Sequence, residues 1–482
     1  MELYIDPALK RGVSKALFEQ IRDAIVSGRV AQGDRLPPSR EIAGQLGISR
    51  HTVTTVYGRL VAEGYLEGRA GGGTFVATTA PAPGAAAARG RRRDDRPASP
   101  LRPARVVTPN VPNVEPAPPG GFDLRIGLPD PALFPLRRWK QSVASTLHSP
   151  PTGDPDPAGM PALRRSLARW VGRSRGVETT GEQVMVVTGA QQAVDLIARV
   201  VLRPGDRVAI EEPGYHPVRG LLDALGMRVV PVPVDHDGLV VEAIPPRVRA
   251  VYTTPSHQSP TGAALALPRR RALLAFADRH DAVVIEDDYD SEHRHSDRPL
   301  EPLHRLDDHG RVIYVGTFSK TLSPALRVAF VVWPEPLVEA AVAWRDLMDG
   351  RPAAGVQQAL HRFITDGFLE QHLRRVRKVY RERHHVVAGW VDDGAARGLL
   401  VAGPVNHAGL HVAATLPGGV AEATVRDLAR RRGVALTRYA PYCASPPERD
   451  GLLIGYGLTA ADALPAALGV VGDVLAAARR AA

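Results

Sequence analysis

The sequence predicts an α/β protein, in which a small N-terminal helical unit is joined by a linker to a large domain with a mostly parallel sheet. Two short amphipathic segments meet at LGIS near the N-terminus, and Pro, Ala and Arg dominate residues 79–121. From about Gly181, short Val/Ile-rich segments alternate with helical ones. Because 482 residues are too many for one ordinary domain, we predict domains at 1–78 and 122–482, with a linker at 79–121.

The N-terminal unit is predicted to contain three helices and a hairpin. SKALFEQIRDAIVSGRV places its apolar residues on one helical face, with Ser14 as a candidate N-cap. LPPSREIAGQLGIS predicts a short helix capped by Ser39 and closed at Gly47, and a second short helix runs from about Ser49 to Glu63. GYLEGRAGGGTFVAT then predicts strand, glycine turn and strand. This order predicts a winged helix-turn-helix.

A helix-turn-helix reads DNA with the N-terminal side chains of its second helix, which lies in the major groove. In this sequence those side chains are Ser49, Arg50, His51, Thr52 and Thr54. Arg40 is placed to reach a phosphate or a guanine, and the wing glycines Gly71–Gly73, including Gly72, allow close approach to the DNA backbone. The unit and the linker carry net charges of +2 and +4 out of +10, which favours nucleic-acid contact.

Residues 12–78 resemble the winged helix-turn-helix of the GntR regulator family. The segment GDRLPPSREIAGQLGISRHTVTTVYGRLVAEGYLEGRAGGGTFVA follows the family's pattern. The resemblance implies that the unit binds a double-stranded DNA operator. A winged helix used for protein contacts is the alternative.

The large domain is predicted to place its functional residues at one edge of a sheet. The predicted strands are VMVVT, DRVAIEE, RVVPVPV, RAVYTTP, AVVIEDDYD and RVIYVGTFSK, separated by helical segments such as GAQQAVDLIARVVL. Ligands of such sheets bind at the carboxyl ends of strands. The side chains that follow these ends are Thr188, Tyr215, Ser256, His257, Asp287 and Lys320.

Two groups of these residues suit the two ends of one small molecule. A partly desolvated lysine such as Lys320 has a lowered pKa and forms Schiff bases. Thr188, Gly189, Ala190 and Gln191 join a strand to a helix N-terminus, which suits a phosphate. Thr317, Ser319 and Arg327 add hydroxyl and guanidinium contacts to the same phosphate.

Three further side chains suit an aromatic ring. Asp287 can pair with a protonated pyridine nitrogen, Tyr289 can hydrogen-bond a phenolic oxygen, and Tyr215 can stack on the ring. Each feature alone is common in proteins, but their order and spacing together predict a site for pyridoxal 5'-phosphate (PLP).

Residues from about 122 to 482 resemble a fold-type I aminotransferase with a small C-terminal α+β subdomain, and the whole chain resembles the MocR-type transcriptional regulators. The segments that carry the resemblance are VTGAQQAVDL, EEPGYHP, YTTPSHQSPTG, VIEDDYDSE and VIYVGTFSKTLSPALR. It implies that Lys320 forms the internal aldimine, and that Asp287, Tyr289 and Tyr215 contact the ring as above. It also implies a head-to-tail homodimer, in which each winged helix lies against the other subunit's aminotransferase-like domain.

The sequence departs from the aminotransferase pattern at two places. Residues 259–262 read Ser-Pro-Thr-Gly where aminotransferases carry Asn-Pro-x-Gly, so the bond from that Asn to the phenolic oxygen is lost, and His257 or Tyr289 is expected to compensate. The late strand GLLIGYGL lacks the arginine that holds a substrate carboxylate. Arg438 in ALTRYAPY is a candidate to hold an effector's carboxylate, and the alternative is an ordinary surface arginine.

Other features of the sequence argue against a metal-binding, a disulfide-bonded or a membrane protein. His293 and His295 are interpreted as surface or packing histidines and no metal site is expected, because no further ligand cluster accompanies them. The single cysteine, Cys443, excludes an intramolecular disulfide. The sequence has no bilayer-length apolar run and no secretory signal in MELYIDPALKRG, so we expect a cytoplasmic protein without membrane contact.

The sequence thus predicts a transcriptional regulator in which PLP, or a PLP-amine aldimine at Lys320, modulates operator binding. Among relatives, control of vitamin B6 or of amine and amino-acid metabolism is common, so the effector is expected to be PLP, an amine or an amino acid. A working aminotransferase with a DNA-binding appendage is the alternative; the lost Asn argues against it, although residual transamination stays open. A cofactor-free dimerisation scaffold is disfavoured because all the PLP-site elements are present.

Overall fold

The computed structural model describes residues 3–5, 12–69, 72–77, 116–146, 156–295, 301–404 and 408–481. Contacts between residues divide the chain into two units, Met1–Val106 and Val107–Ala482. Most of the predicted linker, and Gly71 of the wing, lie outside the described residues. The predicted domain boundaries therefore stay predictions.

The N-terminal unit contains three helices followed by an antiparallel hairpin, as the sequence predicts. Its core is formed by apolar side chains from one face of each helix and from the hairpin. The elements are α1 (Val13–Val26), α2 (Ser39–Leu46), α3 (Arg50–Ala62), β1 (Leu66–Arg69) and β2 (Gly73–Val76).

The predicted cap of α3 is confirmed. The hydroxyl of Ser49 accepts a hydrogen bond of 3.0 Å from the backbone N–H of Thr52, which satisfies one of the amides that a helix leaves free at its start. Gly47 ends α2 as predicted, with a positive φ of 63° that favours glycine.

The other two predicted caps are wrong. Helix α1 begins at Val13, so Ser14 lies inside it and Gly12 occupies the N-cap position. Ser39 is the first helical residue of α2 and follows Pro38, so its side chain is one position too late to cap. In both cases the hydroxyl residue nearest the start of the apolar pattern is already helical.

The large unit is built on a twisted sheet whose strands are almost all parallel, and the predicted fold class is confirmed. Its order among the described residues is β4-β11-β10-β9-β8-β5-β6-β7, in which β11 and β7 run against the others. The strands are β4 (Val184–Val187), β5 (Arg207–Glu212), β6 (Arg228–Asp235), β7 (Gly238–Leu239), β8 (Ala250–Thr253), β9 (Val283–Asp288), β10 (Val312–Thr317) and β11 (Ala329–Val332).

Both faces of this sheet are buried, because alternate residues of each strand point to opposite layers. In β4, Met185 and Val187 join the core on one face, whereas Val184 and Val186 join the core on the other. The helices that cover the sheet or lie between its strands along the chain are α4 (Leu136–Ala144), α5 (Pro161–Arg175), α6 (Ala190–Val201), α7 (His216–Ala224), α8 (Leu267–His280), α9 (Val338–Asp349) and α10 (Ala354–Thr365).

The C-terminal part is an α+β layer with its own core. The short strand β3 (Phe122–Leu124), which opens the large unit, pairs in parallel with β14 near the other end of the chain. The remaining elements are α11 (Phe368–Ala396), β12 (Val401–Ala402), β13 (His411–Thr415), α12 (Glu422–Arg431), β14 (Val434–Leu436), β15 (Gly451–Gly455) and α13 (Leu464–Ala481). In the described part of the chain, we find no helix with the length and apolar character needed to cross a membrane.

Candidate functional site

Lys320 follows β10 at the carboxyl edge of the sheet. Its Nζ donates a 2.5 Å hydrogen bond to the backbone oxygen of Gly127, just after β3. Burial lowers the pKa of Lys320, while the carboxylates of Asp290 and Asp287 act in the opposite direction. A buried amine with a lowered pKa is a nucleophile suited to Schiff-base formation.

Asp287 lies near the end of β9 and is buried. Its Oδ2 accepts a 2.6 Å hydrogen bond from the hydroxyl of Tyr252, and its Oδ1 is buried without a partner among the described residues. Burial raises the pKa of Asp287 to about 7. A buried acceptor of this kind suits the protonated nitrogen of a pyridine ring, because a cation there would stabilise the carboxylate.

The sequence analysis missed Tyr252. The register of the strands brings Tyr252 to Asp287. Strand β8 pairs with β9 so that Tyr252 lies opposite Ile285, two residues before Asp287 and on the same face. A tyrosine at that place holds one carboxylate oxygen and leaves the other free.

The residues predicted to seat a phosphate lie in the turn after β4. Gly189, with φ 111°, precedes α6, whose first residues are Ala190 and Gln191. A Cβ on Gly189 would lie 2.9 Å from Nη2 of Arg327, so this guanidinium lies directly over the turn. First-turn amides have no partner inside a helix, and together with the arginine they offer donors to an anion.

The hydroxyls predicted for the phosphate are close to Lys320 but partly engaged. The hydroxyl of Thr317 donates to that of Ser319 at 3.0 Å and accepts from the Ser319 amide at 3.2 Å. Both donors of Thr188 bond to the side-chain oxygen of Gln192, at 2.7 Å and 2.9 Å, a contact that the sequence analysis missed. Thr188 therefore shapes the turn in this conformation.

Tyr215 lies at the N-cap of α7 and is half-buried. Burial, together with the charge of Asp287, raises its pKa to about 12, and the charge of Arg327 acts in the opposite direction. The phenol therefore lies in the electrostatic field of both Asp287 and Arg327, the residues predicted to contact the ring nitrogen and the phosphate.

Tyr289 is the centre of a small polar network. Its hydroxyl lies 3.0 Å from Nδ1 of His257, and the same nitrogen lies 2.9 Å from Oδ2 of Asp290. Ser259, which stands in place of the usual Asn, acts to lower the pKa of Tyr289, against the larger rise that burial causes. Asp290 is a further residue that the sequence analysis missed; the segment DDYDSE gave no means of ranking its acids.

In the described part of the chain, His257, Asp290 and His411 place ligand atoms within 4.8 Å of one another. Hydrogen bonds already use one ring nitrogen of each histidine: Nδ1 of His257 bonds to Asp290, and Nε2 of His411 donates to the oxygen of Pro260 at 2.9 Å. We therefore assign no metal site to the cluster.

His293 and His295 are buried or nearly so, and the surface alternative is wrong for both. Nε2 of His293 lies 3.0 Å from the oxygen of Lys320, and burial lowers its pKa to about 4. The ring of His295 stacks on His384 at 4.0 Å, and its Nε2 lies 2.8 Å from the hydroxyl of Tyr456. Both histidines pack inside the domain because the segment after β9 runs through its interior.

Arg438 lies two residues after β14. The preceding Thr437 accepts a 3.0 Å hydrogen bond from the Ile126 amide, next to the carbonyl that holds Lys320. Arg438 itself acts electrostatically on Glu422. Its role as a carboxylate partner stays a prediction.

The predicted DNA-contact residues lie at the start of α3 and around it. Arg40, Ser49, Arg50, His51 and Thr54 are exposed, whereas Thr52 and Gly72 are half-buried. The threonine hydroxyls are used within the helix: that of Thr52 bonds Ser49 at 2.8 Å, and that of Thr54 donates to the Arg50 carbonyl at 2.9 Å.

Arg35 is an exposed arginine that the sequence analysis missed. Its backbone bridges to Phe75 of the wing, and its guanidinium lies against Gly73. The signal was present in GDRLPP, where a cation immediately precedes the helix-turn-helix.

A cavity of about 1040 Å³ lies at the amino ends of the strands and contains none of the predicted site residues. Its lining includes Arg249, Val283 and Arg311. The predicted site residues lie at the opposite, carboxyl edge of the sheet, where such sheets bind ligands.

The comparisons with known families agree with this organisation. Residues 13–76 match the family of bacterial regulatory proteins, gntR family, and residues 122–459 match aminotransferase class I and II. The chain thus combines a DNA-binding regulator domain with an aminotransferase-like domain.

Relatives with the same combination extend over nearly the whole chain. A probable rhizopine catabolism regulatory protein, MocR, of Rhizobium meliloti is 35% identical and covers 92% of this chain and 89% of its own length. The pyridoxine biosynthesis transcriptional regulator PdxR of Corynebacterium glutamicum is 31% identical, with 98% of each chain covered. The chain belongs to the MocR-type family of helix-turn-helix transcriptional regulators.

Solved structures match the large domain. The α-aminoadipate aminotransferase LysN of Thermus thermophilus, complexed with N-(5'-phosphopyridoxyl)-L-leucine, is 28% identical with a TM-score of 0.68, covering 75% of this chain and 94% of its own. The kynurenine aminotransferase of Pyrococcus horikoshii is 26% identical with a TM-score of 0.68, covering 74% and 91%. The predicted fold type is confirmed.

Proposed function

We propose that this protein binds PLP at Lys320 and that PLP, or its adduct with an amine, changes the affinity of the winged helix for an operator. The observation that carries the proposal is the environment of Lys320. This buried amine with a lowered pKa lies within the field of Asp287 and belongs to a chain that also carries a DNA-binding unit.

The residues present fit PLP. The unpartnered Oδ1 of Asp287 suits the ring nitrogen, and Arg327 over the turn at Gly189 suits the phosphate. Tyr215 and Tyr289 remain for the ring face and the phenolic oxygen. When bound, PLP supplies an aldehyde carbon that bonds to amines and a ring that accepts electron density.

The chain's own groups would prepare the reaction with an amine. Nζ of Lys320 would have to give up its bond to Gly127 in order to bond to the cofactor, and Asp287 would hold a proton on the ring nitrogen. Tyr289 would donate to the phenolic oxygen, and its high pKa, caused mainly by burial, would keep that proton in place.

Arg438 is proposed to bind the carboxylate of an amino-acid effector. The supporting observation is the anchoring of the segment that follows it, which contains Pro441 and Tyr442. Arg219 donates to the Pro441 oxygen at 2.7 Å, and Gly214 donates to that of Tyr442 at 2.9 Å. An anion at Arg438 would therefore act on a segment anchored beside Tyr215.

For DNA binding, we propose that Arg35, Arg40 and Arg50 contact the operator, and that the protein acts as a head-to-tail homodimer on two half-sites. Arg50→Ala is expected to weaken operator binding by about 1–3 kcal/mol if it contacts a base. Fluorescence anisotropy with labelled operator measures this effect, with Arg59→Ala as control, because Arg59 lies near the other end of the same helix. Equal losses in both variants would contradict the placement of the helix.

The central experiment compares wild type with Lys320→Ala. Wild type is expected to show the visible absorption band of lysine-bound PLP, and its operator affinity should change on adding PLP or an amine. Lys320→Ala should show neither effect. A band in wild type without any change in operator affinity would contradict the proposed regulation.

An active aminotransferase is the second candidate, and the intact lysine, aspartate and tyrosine favour it. Multiple turnovers with amino acids and a keto acid would support this candidate. Formation of the band without turnover, together with altered DNA binding, supports the regulator. We expect at most slow transamination, because Ser259 is too short to replace an Asn directly.

A further inference from the structure

We propose that Asp290 and His257 are positioning residues that aim the hydroxyl proton of Tyr289 at the phenolic oxygen of PLP, in place of the bond that an Asn supplies in aminotransferases. The inference rests on the proposed binding of PLP at Lys320. It gives Asp290 a role in setting the pH at which the nitrogen that would join Lys320 to the cofactor is protonated.

The direction of the hydrogen bonds follows from the carboxylate. An ionised carboxyl group only accepts, so Nδ1 of His257, 2.9 Å from Oδ2 of Asp290, carries the hydrogen. The hydroxyl of Tyr289, 3.0 Å from the same nitrogen, therefore finds no acceptor there. Its oxygen can only share the hydrogen that Nδ1 gives to Asp290, and its own hydrogen is left for another partner. A histidine with the opposite tautomer would instead take the tyrosine's proton.

Ser259 completes the arrangement from the other side. Its side chain acts to lower the pKa of Tyr289, against the larger rise that burial causes, so it lies on the side that favours negative charge on the phenol oxygen. With the hydrogen of His257 Nδ1 shared between Asp290 and the Tyr289 oxygen, the hydrogen of Tyr289 is left for another partner.

The position of His257 is fixed by its surroundings. The ring is buried, and a Cβ on Gly409 would lie 2.1 Å from its Cε1 and 2.7 Å from Oδ2 of Asp290. The ring of His411 lies 4.8 Å away on the other side. Glycine at 409 is therefore required for the histidine and the carboxylate to meet.

Other titratable groups face this network. Asp290, His411 and His295 lie around His257, and Asp287 and Tyr442 act on Tyr289. Burial lowers the pKa of His411 to about 3 and that of His295 to about 2, so both stay neutral at physiological pH. Asp290 is then the charged partner of His257 in this network.

The test is the pH at which the visible band of PLP bonded to Lys320 changes. The phenolic oxygen shares the proton of the lysine nitrogen. A hydrogen-bond donor on this oxygen withdraws electron density from it, so the oxygen holds that proton less well and the pH midpoint falls. His257→Ala and Asp290→Asn are expected to raise the midpoint by about one pH unit, as expected for losing one charge-assisted hydrogen bond. Tyr289→Phe should shift it in the same direction.

Two further variants separate positioning from general damage. His257→Ala combined with Tyr289→Phe should shift the midpoint no further than Tyr289→Phe alone, because the histidine acts through the tyrosine. His257→Asn should restore most of the wild-type midpoint, since its amide nitrogen takes the place of Nδ1. The control is His304→Gln, a half-buried histidine outside this network, which should leave the midpoint unchanged.

The outcomes are distinguishable from those of the proposed function. If wild type shows no Lys320-dependent band, PLP binding itself is wrong. If the band forms but its midpoint is the same in wild type, His257→Ala and Asp290→Asn, the inference is overturned while the cofactor site stands. Additive shifts in the double variant also overturn it. Proton NMR of the cofactor-free protein gives an independent readout, because Asp290→Asn should change the His257 Nδ1–H signal.

Discussion

At the residue scale, the site consists of single side chains whose identities could be predicted from the sequence, while their partners could not. Lys320 and Asp287 follow predicted strand ends, so strand direction alone places them together. Tyr252 and Gly127 contact them and the charge of Asp290 acts on Lys320, but these partners are brought there by strand register and chain packing that no local pattern encodes.

Asp287 gives a pH-dependent prediction. Its pKa is about 7 in the folded cofactor-free protein against 3.8 ordinarily, so the folded state holds this proton more tightly and stability falls as the pH rises from about 4 to about 7. Asp287→Asn removes the ionisation while keeping an acceptor for Tyr252. Thermal unfolding without PLP should show that, between pH 4 and pH 8, the free energy of unfolding of the variant rises by at least about 1 kcal/mol relative to that of wild type.

The same variant should lose PLP affinity, because an amide does not pair with a protonated pyridine nitrogen as a carboxylate does. Titration with PLP at pH 8 measures this loss. A variant that gains no stability with rising pH would show that Asp287 is ionised at little cost in the folded protein.

Gly189 gives a second prediction at this scale. Gly189→Ala places a methyl group 2.9 Å from Nη2 of Arg327, which must move, and PLP affinity should fall by roughly tenfold or more with the loss of a charged hydrogen bond. Gly205→Ala is a matched control: its φ of 96° is also positive, but it has no neighbour within 4 Å. The two variants should lose similar stability, and only the first should lose affinity; equal affinities would argue against a phosphate beneath Arg327.

At the element scale, the strands and helices were predictable in kind, and helix starts were less so. The buried parallel strands are continuous Val/Ile runs, and they appear where predicted. Of the three predicted caps, only Ser49 has the extended backbone that lets a side chain reach back to the first turn. Ser14 and Ser39 have the right chemistry at the wrong position.

Ser49→Ala should therefore destabilise the start of α3 by about 0.5–2 kcal/mol. Hydrogen exchange of the first amides of α3 in the full-length protein measures the effect, and operator affinity should fall with it. Ser39→Ala is the control, because no side-chain cap bond is lost there. Similar changes in α2 and α3 would show that the hydroxyls act through solvent and not as caps.

At the scale of the whole molecule, the division into two units could be predicted from composition. The pairing of the first strand of the large unit with a strand near its end could not. Strand β3 enters beside β14, so residues more than 300 apart in sequence complete one small sheet. Sequence periodicity has no information on such a pairing, and FDL alone did not predict a strand.

Truncation tests this pairing and the predicted boundaries together. Residues 116–482 are expected to fold and to show the same visible band with PLP as the full chain. Residues 130–482 lack β3 and Gly127, and should unfold at lower temperature and bind PLP weakly. If the shorter chain behaves like the longer one, β3 is dispensable and the domain begins later than proposed.

Under the proposed function, the contact between Gly127 and Lys320 would let the start of the large unit report whether the lysine carries the cofactor. The amine that holds this carbonyl is the one proposed to bond to the cofactor, and the carbonyl is only eleven residues from residue 116, where the described part of the large unit begins. An isotope-labelled carbonyl at Gly127 would shift its infrared frequency when the amine departs. Whatever the effector proves to be, its arrival would be visible on the chain that comes from the DNA-binding unit.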